Sequence, residues 1–496
     1  WRRSSSADVG TARVEAGWRP GPGTDVSVSY ERADDRIHEA GSLTGAELAA
    51  DPTQNVSTVY TVGALDMVVG RLRQELPGGL SLSGDAHWRG RREDTPTNVG
   101  RTSDSHSLAD MAGRGGTLQL SREGDWGGRE LALSAGLEGG RSESDSDSAG
   151  TYSGSAFTSG SLVKDDALGL FAQARVDLLP ETLSATAGWR YDSDRIDYKD
   201  KVTPSNDGAA SFRHVSPRVG LDWNPDPDWT FYALYAEAFR APTADELTAL
   251  GPFAAQPLNP VQTRSKELGA RARPLDGVTI TAALFRTDVI DEIYYDPTAG
   301  SFGENVNVPR TRRVGVDWSA GWKRGPWEAR AGYAFTRATF QSDVTMSKQP
   351  SGNQQVVPGD VMPMSPEHKG TLMAAYVPAP GWRLSADGVC VGAQRLVGDE
   401  ANLQPRLPAY CSADLGVSVE RGDWSLGLRG TNVTDARYAQ RGIISKLSGR
   451  AERFYVPASA AGVEASLSWR WAATGSLTAR RSLGDVLAQL RGGRTP

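Results

Sequence analysis

Side chains alternate between apolar and polar, position by position, over unusually long runs of this chain. In "LSLSGDAHWRG", Leu80, Leu82, Ala86 and Trp88 fall on one side of an extended backbone, with Ser81, Ser83, Asp85, His87 and Arg89 on the other. "WSLGLRG" sets Trp424, Leu426 and Leu428 against Ser425, Gly427 and Arg429. "WRLSADG" sets Trp382, Leu384 and Ala386 against Arg383, Ser385 and Asp387. "VEASLSWRW" opposes Val463, Ala465, Leu467, Trp469 and Trp471 to Glu464, Ser466, Ser468 and Arg470. A period of two marks strands with one greasy and one wet face. Runs of roughly ten to eighteen residues exceed the five or six usual in soluble sheets.

The connections sort by length. Tight turns recur as "RPGPGTD", "LPGG", "GDWGG", "LLPET", "NPDPD", "PLDG", "KRGP", "PAPG" and "ERGD". Between them lie longer polar stretches, among them 34–59, 95–112, 142–160, 243–261 and 342–364. Short turns on one rim and long loops on the other describe a membrane barrel, and a propeller or soluble sandwich has no reason to sort them so. Trp229, Trp382 and Trp424 each follow a tight turn, and Trp469 and Trp471 end the last strand near the same rim. An interfacial aromatic girdle would lie there. The fold expected is therefore all-β, a transmembrane antiparallel β-barrel of about nineteen strands from 8–18 to 452–471. Strands at 382–399, 407–423 and 424–441 are among them. The first and last strands run toward the same rim, so antiparallel closure needs an odd number of further strands.

Composition excludes other classes. No run of eighteen apolar residues occurs among the 496, so no helix spans a membrane. The formal charge of -6 argues against a nucleic-acid partner. His38, His87, His106, His214 and His368 are scattered without ligand spacing, so no metal site is expected. No G-x-S-x-G, H-E-x-x-H or phosphate-binding loop appears, which argues against an enzyme. "RSESDSDSAGTYSGSAFTSGS" offers Asp145 and Asp147 as weak calcium ligands, against the plainer reading of a solvated loop. Cys390 and Cys411 project to one side of a hairpin. Symmetrical pairing sets Cys390 opposite Leu415, leaving the thiols about four residues out of register, too far for a disulfide. The chain opens at Trp1 without an initiator Met or a secretory signal, as a mature or truncated chain would.

The stretch "FYALYAEAFRAPTADEL" joins this pattern to a family. Its strand carries Tyr232, Leu234, Ala236 and Ala238 on one side and Ala233, Tyr235 and Glu237 on the other. The first set, with Tyr232 and Leu234, is expected to face lipid, and Glu237 the lumen. Pro242 stops the strand. Phe239, Arg240, Ala241, Pro242, Thr243, Glu246 and Leu247 resemble the barrel motif of TonB-dependent outer-membrane receptors. Asn259, Pro260, Glu267, Leu268, Gly269, Phe285, Asp288 and Ile293 are similar to the segment that follows it, although "VQTRS" departs from the family's usual Leu-Lys-Pro-Glu-Ser. Asp399, Glu400, Asn402, Leu407, Pro408 and Tyr410, and then Asn432, Asp435 and Tyr438, resemble the late-barrel motifs. Val433-Thr434 stands where Leu-Phe is usual. The likeness is good over 160–471 and rests on strand rhythm alone before that.

The resemblance implies a barrel of about 22 strands around a globular plug that TonB contacts. It implies an outer-membrane location in a Gram-negative bacterium, and uptake of a large scarce nutrient, most often a ferric siderophore. Partners would be the TonB-ExbB-ExbD system, acting through a plug expected outside this chain, together with outer-membrane lipid and the iron chelate; a monomer without cofactor is expected. A passive porin or structural barrel is the alternative. Residues 1–471 form the expected barrel domain. Residues 472–496 form an extension in which Leu483, Val486, Leu487 and Leu490 have helical spacing beside Arg480, Arg481, Arg491 and Arg494. Phe253, Tyr294, Tyr295, Phe302 and Arg395 are the candidate ligand contacts, because aromatics and arginine suit large, flat or anionic ligands.

Overall fold

The computed structural model describes residues 2–3, 5–57, 59–99, 103–152, 154–243, 246–247, 258–296, 304–349, 352–447, 450–472 and 478–481. One antiparallel sheet of twenty strands dominates, each strand beside its predecessor and successor in a meander. Each of the nineteen expected strands is present, from Ser6–Trp18 to Gly462–Ala472. The twentieth, Thr478–Arg481, pairs with the end of Gly462–Ala472. The residues with helical spacing in the C-terminal extension, Leu483 to Leu490, lie outside the described residues. Ser6–Trp18 meets Thr24–His38 along one side and is exposed throughout.

Directly opposed residues share a face, so the registers trace one face around the wall. Leu82 stands opposite Leu120, then come Ala135, Ala172 and Trp189. Further round, Leu221 meets Ala233, then Leu268, Leu284 and Val316. Beyond these the same face carries Leu372, Leu384, Leu415 and Leu426. Many large apolar side chains on this face are exposed, as in Leu268 (60%), Leu284 (57%) and Leu426 (51%). A continuous exposed apolar belt on one face of a sheet is the lipid-facing side of a membrane barrel. Near the tight turns its rings pair: Trp327 stacks on Tyr376 at 4.3 Å, Trp424 on Trp469 at 5.8 Å, and Phe231 lies between Trp223 and Trp229. The side chain of Trp471 lies outside the described residues.

The same registers reverse one expectation. Tyr232 opposes Asp222 and Gly269, and Leu234 opposes Glu267, so both turn inward. Phe231, Ala233, Tyr235 and Glu237 face outward, opposite Trp223, Leu221, Val219 and, on the other side, Arg264. That strand is apolar on both faces, so its own alternation does not choose a side. The unambiguous neighbours do.

Buried apolar cores sit under the long-connection rim. Val308, Ala338, Phe340, Met346, Val356 and Met362 form one, where the hairpin Val344–Gln349 and Gly352–Val356 folds over the wall. Leu247 and Leu258 pack with Ile196 against Val163, Tyr198, Ala210 and Phe212. A three-stranded sheet of Leu43–Thr44, Ala439–Leu447 and Arg450–Pro457 caps another part.

Several connections differ from expectation. The stretches 95–112 and 142–160 are largely ladder, because Leu80–Val99, Ser103–Asp125, Glu130–Tyr152 and Ser155–Leu179 pair far beyond the belt. The expected strands at 382–399, 407–423 and 424–441 shorten to Trp382–Val391, Tyr410–Arg421 and Trp424–Thr431. This shortening moves the hairpin centre, so Cys390 stands opposite Cys411 and the two are joined by a disulfide. The expectation of free thiols fails because the two strands are not paired symmetrically about the assumed loop.

Candidate functional site

The inner wall is polar and its charges are neutralised in small clusters. Arg91 pairs with Glu93 and Asp35, Arg190 with Asp192 and Glu138, Arg383 with Glu328, and Arg429 with Asp414. Tyr232 donates its hydroxyl to Glu267 Oε1 at 2.6 Å, and the Arg271 guanidinium lies 4.8 Å above its ring. Gly269 makes room for that ring: a Cβ there would stand 2.3 Å from Tyr232 Cζ. A cavity of about 600 Å³ is lined by Phe171, Gln173, Arg190, Asp192, Ser216 and Arg218. Among the described residues, Arg218 has no carboxylate within ion-pairing reach.

At the rim, the family-like motifs assemble as supports for connections. Arg240, the last residue of Trp229–Arg240, grips Glu246 through two hydrogen bonds of 2.7 and 3.0 Å. Glu246 also accepts from Thr243 N, and Thr243 Oγ1 accepts from Glu246 N, a reciprocal cap on the turn after Ala241 and Pro242. These donors hold the Glu246 carboxyl below its ordinary value against the opposing effect of burial. Phe239 stacks on His214 at 5.1 Å. Asn259 exchanges backbone hydrogen bonds with the side chain of Asn307, with Pro260 next to the start of Val261–Ala272.

The connection 392–409 holds a buried polar cluster. Glu400 is fully buried, and its Oε1 accepts from Tyr294 Oη at 2.7 Å and from Gly398 N at 2.8 Å. Asp399, also fully buried, accepts from Leu403 N and Gln404 N and pairs with Arg395 at 3.3 Å. Burial raises both carboxyls above their ordinary values, the backbone donors and Arg395 offsetting part of the effect at Asp399. Asn402, at φ 58°, ties Val361 N and O and the carbonyl of Glu400. The next connection is organised likewise. Asn432, at φ 45°, donates to the carbonyls of Ala436 and Ser459 and accepts from Ala436 N. Asp435 accepts from Ala461 N, and Tyr438 stacks on Tyr410 at 3.7 Å.

Of the candidate ligand contacts, Tyr294 and Arg395 come together around Asp399 and Glu400, and their polar ends are occupied in holding that connection. Tyr295 is 45% exposed and stands opposite Asn305. Phe253 and Phe302 lie outside the described residues. Asp145 and Asp147 both grip Lys201 Nζ, and among the described residues no group of three or more His, Cys, Asp or Glu could hold a metal ion. Sequence reasoning missed Tyr232 and Arg218 as lumen residues. The glycine opposite Tyr232 was the available signal for the first.

Comparison with known proteins agrees with this architecture. The family described as TonB dependent receptor-like, beta-barrel matches residues 4–433. The ferric yersiniabactin uptake receptor FyuA from Yersinia pestis superposes with a TM-score of 0.76 at 15% identity, over 93% of this chain and 70% of that one. The siderophore receptor PiuA from Acinetobacter baumannii gives 0.76 at 14% identity, over 95% and 75%. The copper transporter OprC gives 0.73 at 14%, over 94% and 72%. With a lipid-facing belt, a polar lumen and a family match over most of its length, the chain belongs to the TonB-dependent receptor β-barrel family.

Proposed function

We propose that this barrel belongs to an outer-membrane receptor of a Gram-negative bacterium that takes up a ferric siderophore with energy from the TonB-ExbB-ExbD system. The carrying observation is the family match across residues 4–433 on a wall with a polar interior. The ligand class is supported by the likeness to FyuA, a ferric yersiniabactin uptake receptor, and to PiuA, a siderophore receptor. Coupling to TonB runs through a plug of the kind the family resemblance implies. No bond of the ligand is broken, so the protein is a transporter and not an enzyme, and it needs no cofactor. Ligand contact is assigned to Tyr295, to Phe253 and Phe302 on their residue type alone, and to Arg218 in the lumen, where a guanidinium without a carboxylate partner among the described residues suits an anionic chelate. Tyr294 and Arg395 serve the ligand indirectly, by fixing the 392–409 connection.

Uptake of radiolabelled iron by a deletion strain tests the reading. Uptake from at least one ferric siderophore should be lost, restored by the gene, and lost again when TonB is removed. Unchanged uptake of every siderophore tried would refute the iron reading. Restored uptake that persists without TonB would refute energised transport.

A further inference from the structure

On the outer wall, the apolar belt ends in a groove of about 580 Å³ whose lining includes Val219, Leu221, Ala233, Leu268 and Leu284. Lys266 and Arg286 stand over its upper end, directly opposite each other in the ladder. Like charges placed so repel, and the arrangement is destabilising unless an anion lies between them. Around them are Arg264, one residue beyond Lys266 on the same face and 3.7 Å from Glu237, and Arg312, which shares Asp288 with Arg286. Four cations thus face two carboxylates. Among the described residues Lys266 has no carboxylate within ion-pairing reach. Tyr235, the other neighbour of Lys266, gives its hydroxyl to Glu237.

We propose that this groove is a binding site for a phosphorylated lipid of the leaflet on the long-connection side. An acyl chain lies on Leu221, Leu268 and Leu284, and a headgroup phosphate sits between Lys266 and Arg286. The pairing of chemistries carries the assignment: exposed leucines directly below, surplus cations directly above, both on the lipid-facing side of one ladder. A soluble anion would have no use for the leucines, and a neutral lipid none for the cations. Which leaflet this is, the outer one, rests on the proposed function.

The test uses the full chain purified in mild detergent, with lipid A and its dephosphorylated form as probes and binding read by native mass spectrometry. Each cation near a membrane phosphate contributes about a fivefold gain, so the pair should favour the phosphorylated lipid roughly 30-fold. Lys266→Ala with Arg286→Ala should abolish that preference. Lys266→Gln, a milder change, should reduce it about fivefold and serves if the double variant does not fold. Arg32→Ala, on the outer wall opposite Ala12 and Asp66 and paired with Asp34 and Asp66, should leave it unchanged. Equal binding of the two lipids by the wild type, a preference that survives in the double variant, or an undiminished preference in Lys266→Gln would overturn the proposal. Neither TonB nor a nutrient enters the measurement, so its failure would leave the uptake reading to its own test.

Discussion

Replacing Glu400 by alanine removes the acceptor that joins the 392–409 connection to the wall at Tyr294. Hydrogen bonds to a charged group contribute about 1.5–3 kcal/mol each, and Glu400 Oε1 accepts two of them. Relief of the buried charge returns part of that, leaving a local loss of roughly 2–4 kcal/mol. Hydrogen exchange at the amides of Gly398, Leu403 and Gln404 reads the opening of this connection. Their protection should fall roughly 30- to 1000-fold in Glu400→Ala, at about 1.4 kcal/mol per tenfold. pH supplies an independent check. Burial raises the Glu400 carboxyl, so the closed connection binds its proton more tightly than the open one. The associated stabilisation is complete below the ordinary glutamate value and is lost as pH rises through the raised value. Glu400→Gln keeps the acceptor and cannot titrate, so its protection should depend less on pH, the remaining slope belonging to Asp399. Wild-type protection in Glu400→Ala, or a Glu400→Gln pH profile that overlays the wild type, would refute the reasoning.

Other substitutions probe the remaining supports. Gly269→Val should cost about 1–3 kcal/mol in thermal unfolding by displacing the Tyr232 ring, and Tyr232→Ala should rescue most of it; additive effects would refute the contact. Asn432→Ala should cost about 2–4 kcal/mol, because two carbonyls lose their donor and a residue with φ 45° loses the side chain suited to it. Protease cutting across 432–438 should rise, and an unchanged digestion pattern would count against this account. Cys390→Ser with Cys411→Ser should lower stability by about 3 kcal/mol by freeing a loop the bridge closes, seen as faster proteolysis within 392–409. Indifference to reductant in the wild type would speak against that contribution.

What was legible in the sequence follows from how local its causes are. Alternation in Leu80–Val99 or Trp424–Thr431 is written residue by residue, and tight turns such as "ERGD" set the adjoining hairpin registers, so strand number and lipid face were readable. The disulfide was not. Trp382–Val391 and Tyr410–Arg421 meet across a long connection, whose length leaves the register free. Their pairing is set instead where Asp399 and Asn402 consume chain in a compact turn. The inward turn of Tyr232 depends in the same way on a neighbour, since its own strand is apolar on both faces. Leu268 and Leu284 resolve it, and Gly269, bare opposite a large ring, carried the clue.

The residues that carry the family resemblance have a common physical task, and it limits what they can reveal. Arg240 with Glu246, Asn259 with Asn307, Asp399 with Leu403 and Gln404, and Asn432 with Ala436 each satisfy backbone or charged groups that a folded connection would otherwise leave unpaired. A connection tied at its base in this way presents its tip in one place whatever the tip is made of. On the proposed uptake reading, selectivity among ligands then rests on side chains outside these ties. Tyr295 and Arg218 are such positions, and neither belongs to a motif. Changing a tie should therefore loosen the mouth toward every ligand alike, whereas changing Tyr295 or Arg218 should alter which ligand is preferred. Competition between two ferric chelates of different charge separates the two outcomes: Arg218→Ala should shift the ratio, and Arg240→Ala should weaken both in proportion.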